Sequence, residues 1–150
     1  MDHVVSLVIR PAVTADIPAV IALDAAITGL AKPDYWRDLF ERYATRRRDE
    51  RFFLVAEEAG AFVGFTIGEI RAWEFGAPPC GWLFAIELKP EARLRGVGTR
   101  LFQALCDCFK RAGVDKLRTM LARDNHLMLS FFRSQGMMAG PSIQLEMTLD

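Results

Sequence analysis

EARLRGVGTRLF, running from Glu91 to Phe102, holds two glycines and three arginines and leads into an apolar pattern with helical spacing. A helix N-terminus carries unpaired N–H groups and a partial positive charge. Glycines just before it let a ligand come close to the backbone. Arg93 and Arg95 add guanidinium donors suited to phosphate oxygens. Together these features read as an anion cradle, for a phosphate or pyrophosphate. The P-loop pattern does not fit, because Gly98 is followed by Thr99 and Arg100 rather than by lysine and a hydroxyl residue. The dinucleotide fingerprint fails as well, since Leu101 stands where its third glycine belongs. A turn built on two glycines, with arginines facing solvent, is the plainer alternative for these residues.

The segments on either side give the cradle its setting. WLFAIELKP (Trp82–Pro90) is a largely apolar run closed by proline, which predicts a third central strand feeding the loop. From Val97 the residues Leu101, Leu105, Cys108 and Ala112 recur at helical spacing, so a helix is expected to about Ala112, ended by Gly113. Upstream, Val4–Arg10 predicts a strand. Thr14 and Asp16 are candidate caps, and Pro18 suits the first turn of a helix closed by Gly29. A second helix is expected after Pro33, with Tyr35, Trp36, Leu39, Phe40 and Tyr43 on one stripe. The arginine run Arg46–Arg48 adjoins acids and reads as a solvated helix end. Phe52–Glu58 and Ala61–Trp73 predict a hairpin turned at Ala59-Gly60, with Gly64 and Gly68 marking a bulge or a close neighbour. GAPPCG (Gly76–Gly81) is a loop. Downstream, Asp115–Ala122 predicts a strand and His126–Gln135 a helix stopped by Gly136. Two short strands are expected around Gly140-Pro141. The expected fold is α/β, a mixed, largely antiparallel sheet flanked by helices in the order β-α-α-β-β-β-α-β-α-β-β, as a single domain over residues 1–150.

Lysine plus arginine equals aspartate plus glutamate at 19 each, so the net charge is zero. That balance offers no general attraction to nucleic acid or to an anionic membrane. The odd set Cys80, Cys106 and Cys108 lacks metal-finger spacing and reads as free thiols in a reducing compartment. No metal is expected. The N-terminal stretch lacks the pattern of a signal peptide, and no run reaches membrane-spanning length, so a cytoplasmic protein is expected.

Arg93-Leu94-Arg95-Gly96-Val97-Gly98 resembles the Q/R-x-x-G-x-G/A motif of the GNAT superfamily of acyl-CoA N-acyltransferases. The context is similar too: a strand ending Leu88-Lys89-Pro90, a long helix, a strand, then Asn125 and Gly136-Met137. The resemblance implies an N-acetyltransferase that moves an acetyl group from acetyl-CoA to a primary amine. It implies a strand that splays from its neighbour and pairs its backbone, here Ile86 to Leu88, with the pantetheine arm. It implies that the amides of Arg93, Leu94, Arg95, Gly96, Val97, Gly98 and Thr99 hold the pyrophosphate, with Asn125 near the pantetheine. It implies possible pairing of subunits as a homodimer.

For the chemistry, Leu88 is a candidate backbone donor to the acyl oxygen. Glu87 interrupts an apolar strand and is the first candidate base. A solvent-facing or paired carboxylate is its plainer reading. Glu69 and then Glu74 come next, while His3 and His126 read as surface residues. Many family members place a tyrosine seven residues after the asparagine to protonate the leaving thiolate. Phe132 occupies that position here and has no proton to give. Ser130 and Ser134 are weak substitutes, and Phe132 could instead pack on the sulfur arm. Trp36, Phe40, Trp73 and Phe75 could line an acceptor site or belong to the core. The acceptor, whether small molecule or protein, is left open. The alternatives are a non-catalytic acyl-CoA-binding module, suggested by Phe132, and an interaction domain whose glycine loop is only a turn.

Overall fold

The computed structural model of the chain describes residues 6–46 and 49–150. Val4, Val5, His3 and two members of the arginine run, Arg47 and Arg48, lie outside the described residues. The chain divides into two compact units, residues 1–120 and 121–150.

The first unit carries β1 (Leu7–Pro11), α1 (Ile17–Thr28), α2 (Pro33–Ala44), β2 (Arg51–Glu58), β3 (Ala61–Arg71), β4 (Cys80–Leu88), α3 (Val97–Arg111) and β5 (Leu117–Thr119). The sheet runs β1-β2-β3-β4-β5. Every pairing is antiparallel except β4 with β5, which is parallel. This is the mixed, largely antiparallel sheet that the hairpin pattern implied. Asp16 stands at the N-cap of α1 but its side chain does not cap that helix: it accepts from the Val13 N–H at 2.7 Å across the preceding 3-10 turn (Thr14–Asp16), while Arg10 grips both of its oxygens. The second unit carries α4 (His126–Ser134).

The sheet buries both faces because successive side chains point opposite ways. On one face Phe53, Val55, Phe65 and Ile67 meet Val20 and Leu23 of α1 and Trp36, Leu39 and Tyr43 of α2. Phe40 is only partly buried against this core, and Tyr35 is exposed. On the other face α3 packs through Leu101, Leu105 and Phe109. The buried stripe of α3 therefore follows Phe102 and Phe109 rather than the expected Cys108 and Ala112. Phe109 lies four residues beyond Leu105, the spacing that keeps a side chain on one helical face.

That packing needs bare backbone beneath the Phe109 ring. A Cβ on Gly68 would sit 2.8 Å from the ring, and one on Gly81 would sit 2.7 Å from it. Gly64, likewise, lies against Leu88 with room for no side chain. The expected bulges are present at Ala56/Glu57 and Ile67/Gly68. We expect Gly81→Ala to destabilise the fold by about 1–3 kcal/mol through overpacking. Urea denaturation would measure it, and Phe109→Leu in the same chain should recover part of the loss. A wild-type midpoint for Gly81→Ala would show that α3 yields freely.

Two expectations about strands fail. β5 covers only Leu117–Thr119 of the predicted Asp115–Ala122, because β4 bends away and leaves later residues without a ladder partner. The two strands expected near the C-terminus are not formed among residues 137–150. Alternating apolar residues suit a strand, but a strand also needs a neighbour to satisfy its N–H and C=O groups. In this segment no such neighbour is present.

Candidate active site

The bend in β4 follows from one extra residue. The Gly81 N–H donates to the Lys116 carbonyl at 2.8 Å, and Thr119 Oγ1 donates to the Leu83 carbonyl at 2.8 Å. Residues 81 and 83 therefore present their backbone to β5. Opposite β3 the register then slips: Gly68 faces Leu83, but Ile67 faces Ala85, so Phe84 is unmatched. Such a bulge inverts the alternation beyond it. Accordingly the Ala85 carbonyl accepts from Thr66 Oγ1 of β3 at 2.9 Å, and the Lys89 N–H donates to the Val63 carbonyl at 2.9 Å. Between them, Ile86 and Leu88 must present their backbone groups to the side away from β3. The pairing with β5 has already ended at Leu83 and Thr119. The last turn of strand before the loop thus offers an open edge, built from the two residues named for that role.

The edge leads straight into the glycine–arginine loop. A 3-10 turn over Pro90–Ala92 buries Ala92, and Arg93 is extended. Leu94 then adopts a left-handed φ of +68° while its side chain is fully exposed. A left-handed leucine costs on the order of 1–2 kcal/mol, and here no packing offsets it. Strain of this kind is concentrated at ligand-binding backbone. Gly96, the N-cap of α3, has φ +79° and no side-chain cap. Left-handed residues alternating with right-handed or extended ones turn successive N–H groups toward one concavity, a form suited to anions. Val97 and Gly98 are buried and fix the first turn of the 15-residue helix behind it. Arg95 is not wholly available to a ligand, because its Nη2 donates to Glu58 Oε1 at 2.7 Å. That ion pair ties the loop to β2. Arg93 is exposed beside it.

On the opposite face from Ile86 and Leu88, Glu87 projects toward α1 and α2. It shares a hydrogen bond with Asp24 of α1. Asp24 is buried and also accepts from Trp36 Nε1 at 3.0 Å, with Lys32 Nζ 3.0 Å from the same oxygen. Glu87 Oε2 is buried with no hydrogen-bond partner. Burial, then the neighbouring Asp24, pushes the Glu87 carboxyl up to about 8, although Lys32 works against the rise. Burial alone would raise Asp24 too, but its bonds with Glu87, Trp36 and Lys32 prevail and hold it below its usual value. Two adjacent carboxyls pushed apart in this way sort themselves into a proton holder and a permanent anion.

The shift has a consequence for stability. A carboxyl whose folded pKa is raised from 4.5 to about 8 favours the fold at low pH, and that contribution is lost as pH rises through this window. We expect the melting temperature of Glu87→Gln to depend less on pH between about 5 and 8 than that of the wild type. Parallel curves would remove the coupling.

Glu69, the second candidate base, is committed elsewhere. Tyr43 Oη donates to its Oε2 at 2.6 Å and Arg51 Nε to its Oε1 at 3.1 Å, and Arg71 Nη2 lies 3.6 Å away. The Tyr43 hydroxyl is pushed up to about 12, by burial first and then by Glu69. Glu74 is an exposed partner of Arg71. Trp36 belongs to the core, whereas Trp73 and Phe75 are exposed on the β3–β4 loop. In the second unit, Asn125 caps α4, accepting from the Met128 N–H at 3.2 Å. Phe132 is buried, and Ser134 is turned back to the Phe131 carbonyl. His126 is exposed.

Asp24 and Lys32 had not been singled out in the sequence. The signal for Asp24 was present: it lies four residues after Val20, on the buried stripe of an otherwise apolar helix. All three cysteines are free thiols. Among the described residues no helix is long and apolar enough to cross a membrane.

The open strand edge at Ile86 and Leu88 runs directly into the glycine–arginine loop at the mouth of α3. The family model for the acetyltransferase (GNAT) family matches residues 17–137, and the chain belongs to that family. A curated relative, the L-2,4-diaminobutyric acid acetyltransferase of Nocardia farcinica, is 31% identical over 97 residues, which is 65% of this chain and 49% of that protein. The chain thus matches about half the length of that relative. Among solved structures, the aminoglycoside N-acetyltransferase AAC(6')-Iy in complex with CoA superposes with a TM-score of 0.86 at 16% identity, covering 99% of this chain and 98% of that one. Glucosamine-6-phosphate N-acetyltransferase from Arabidopsis thaliana gives 0.73 at 21% identity, covering 97% and 99%. At these identities the structural likeness concerns the fold.

Proposed function

We propose that this chain moves an acetyl group from acetyl-CoA to a primary amine by direct attack, with no metal. The observation that carries the proposal is the geometry of β4. Its bulge at Phe84 turns the backbone of Ile86 and Leu88 to an open edge that ends at the cradle from Arg93 to Thr99, and leaves Glu87 on the other face.

The pantetheine amides would pair with the Ile86 and Leu88 edge, as a strand would. The pyrophosphate would sit on the N–H groups at the mouth of α3, with Arg93 beside it. Asn125 is the candidate neighbour of the pantetheine and Phe132 of the sulfur arm. The acceptor enters as an ammonium and must lose a proton before it can attack. Glu87, deprotonated above about 8, accepts that proton directly or through a water. The amine nitrogen then bonds to the thioester carbon, and the carbonyl electrons move onto oxygen. The Leu88 N–H on the open edge would donate to that oxygen. Collapse restores the carbonyl and breaks the carbon–sulfur bond, and the sulfur leaves with the electron pair as thiolate. Phe132 has no proton for it, so solvent supplies one. Asp24 stays anionic and favours the cationic acceptor on that side.

A small acceptor bearing more than one amine is favoured by Asp24, held anionic on this face, and by likeness to a diamino acid acetyltransferase and an aminoglycoside acetyltransferase. The test is calorimetric titration with acetyl-CoA, followed by thiol release with diamino acids and aminoglycosides. Micromolar binding with amine-dependent release is the expected result. Binding that no amine converts to turnover would favour the second reading, an acyl-CoA-binding module, for which the buried Phe132 at the tyrosine position is the motive. No binding would end both.

A further inference from the structure

Along the face of the sheet that carries Glu87, a second set of charged side chains lies beside the bulge. Phe84 meets the Tyr43 ring of α2 edge-on at 6.4 Å, Ala85 packs against the core under α1 and α2, and Glu87 bonds with Asp24 of α1. All three therefore share one face, and the bulge is what lets the consecutive residues Phe84 and Ala85 do so. Phe84 is nearly half exposed. The Arg71 guanidinium of β3 lies over its ring, 5.2 Å from the centroid. At about 3.3 Å per residue, Glu87 stands roughly 10 Å further along β4 than Phe84. A carboxyl and a guanidinium thus sit at the two ends of a short apolar floor.

The partners of Arg71 are unequal. Glu69 is held by Tyr43 and Arg51, and its Oε2 lies 3.6 Å from Arg71 Nη2, too far for a hydrogen bond. Arg71 Nε is buried and has no hydrogen-bond partner among the described residues, which leaves a charged donor unmatched. The close bond, from Nη1 to Glu74 Oε2 at 2.9 Å, goes to an exposed residue of the β3–β4 loop. Trp73 and Phe75, on either side of Glu74, have φ of +67° and +53°, and both side chains are exposed. Aromatic residues rarely take the left-handed region, and here no burial offsets the strain. The carboxylate that occupies Arg71 is therefore presented by a strained, exposed segment of the kind found at ligand clamps.

We infer that the acceptor carries a carboxylate as well as its amine, and that this carboxylate binds Arg71 in place of Glu74. The inference rests on the activity proposed above and narrows its acceptor. A carboxylate matches the planar guanidinium fork. With Glu74 swung away, it can reach the Nε side that lacks an acceptor. Phe84 supports the carbons between the two ends, and Glu87 receives the amine. The separation along β4 selects an amine several carbons away from the carboxylate, an ω-amine rather than an α-amine. Glu69 stays in place, because Tyr43 and Arg51 hold it. Polyamines and aminoglycosides carry no carboxylate, gain nothing from Arg71 and meet its positive charge.

The test is calorimetric titration of the full chain, in the presence of coenzyme A, with lysine and ornithine and with their decarboxylated counterparts cadaverine and putrescine. Thiol release from acetyl-CoA is followed in parallel. Each amino acid is expected to bind about tenfold or more tightly than its diamine, the worth of a charged hydrogen-bonded pair, and kcat/KM should follow the same order. In Arg71→Gln that ratio should fall to near one. Arg71→Lys, which keeps the charge but not the fork, should restore part of it. Glu74→Gln should tighten lysine severalfold and cadaverine not at all, a gain that a merely structural ion pair would not give. A diamine that binds as well as its amino acid overturns the inference, and so does a ratio that survives in Arg71→Gln. Should that variant fail to fold, unchanged lysine affinity in Glu74→Gln would overturn it equally. The expected binding ratios without any thiol release would sink the proposed activity and uphold the carboxylate site.

Discussion

Replacing Glu87 by glutamine is expected to lower kcat by about 10²- to 10⁴-fold, the usual worth of a general base, while the affinity for acetyl-CoA stays near wild type. The separation follows from the strand. Glu87 projects toward α1 and α2, and the edge assigned to the cofactor is formed by its neighbours Ile86 and Leu88. The pH dependence is the sharper readout. A base must be deprotonated to act, and burial beside Asp24 pushes Glu87 up to about 8. Wild-type kcat/KM should therefore climb with pH and level off near that value. In Glu87→Gln this rising limb should vanish. Asp24→Asn removes a negative neighbour that raises the Glu87 pKa, so it should move the limb toward lower pH. The two carboxyls are hydrogen-bonded, so the limb belongs to the pair. Glu69→Gln is the contrasting variant. Its carboxylate is held by Tyr43, Arg51 and Arg71, so it should lower stability and leave the limb in place. A wild-type pH profile in Glu87→Gln would remove Glu87 from the mechanism.

The contrast between Glu87 and Glu69 shows where sequence stops informing. Both are acids in apolar strands, and the pattern alone ranks them weakly. What separates them is the long-range neighbourhood: Asp24 and Trp36 around one, Tyr43 and two arginines around the other. The glycine–arginine loop and the helix it opens were legible because their parts are contiguous. Glycine, arginine and a helix start between Arg93 and Thr99 carry their meaning at short range, and so does the hairpin turned at Ala59-Gly60. The open edge at Ile86 and Leu88 was expected only through family likeness. Its cause, the unmatched Phe84, is a property of the register between two strands, which no single segment encodes. Asp24 was legible in principle, as an acid on a buried helical stripe, but its partner lies 63 positions on, at Glu87. Two short strands were expected around Gly140-Pro141 and none is formed among residues 137–150, because a strand needs a neighbour for its N–H and C=O groups, which the pattern of one segment does not supply.

A left-handed backbone at Gly96 carries the second large effect. Gly96→Val is expected to weaken acetyl-CoA binding by at least tenfold, about 1.4 kcal/mol, with much less effect on kcat at saturation. Two causes would act together, and they can be separated. At φ +79° a β-branched residue is strained in the free protein. Yet a Cβ there would meet no protein atom within 4 Å, so the fold itself has room for a side chain. If Gly96 matters only for its conformation, Gly96→Asn should bind nearly as well as wild type, because asparagine tolerates the left-handed region. If the open space at Gly96 is where the pyrophosphate approaches the backbone, asparagine will obstruct it as valine does, and both variants will lose affinity. We expect the second pattern. The loss should fall on the phosphate end of the ligand, so that a truncated thioester lacking the pyrophosphate binds wild type and variants alike. Equal affinity of Gly96→Val and wild type for acetyl-CoA, in a folded protein, would reduce the glycines to a turn and the arginines to surface charge.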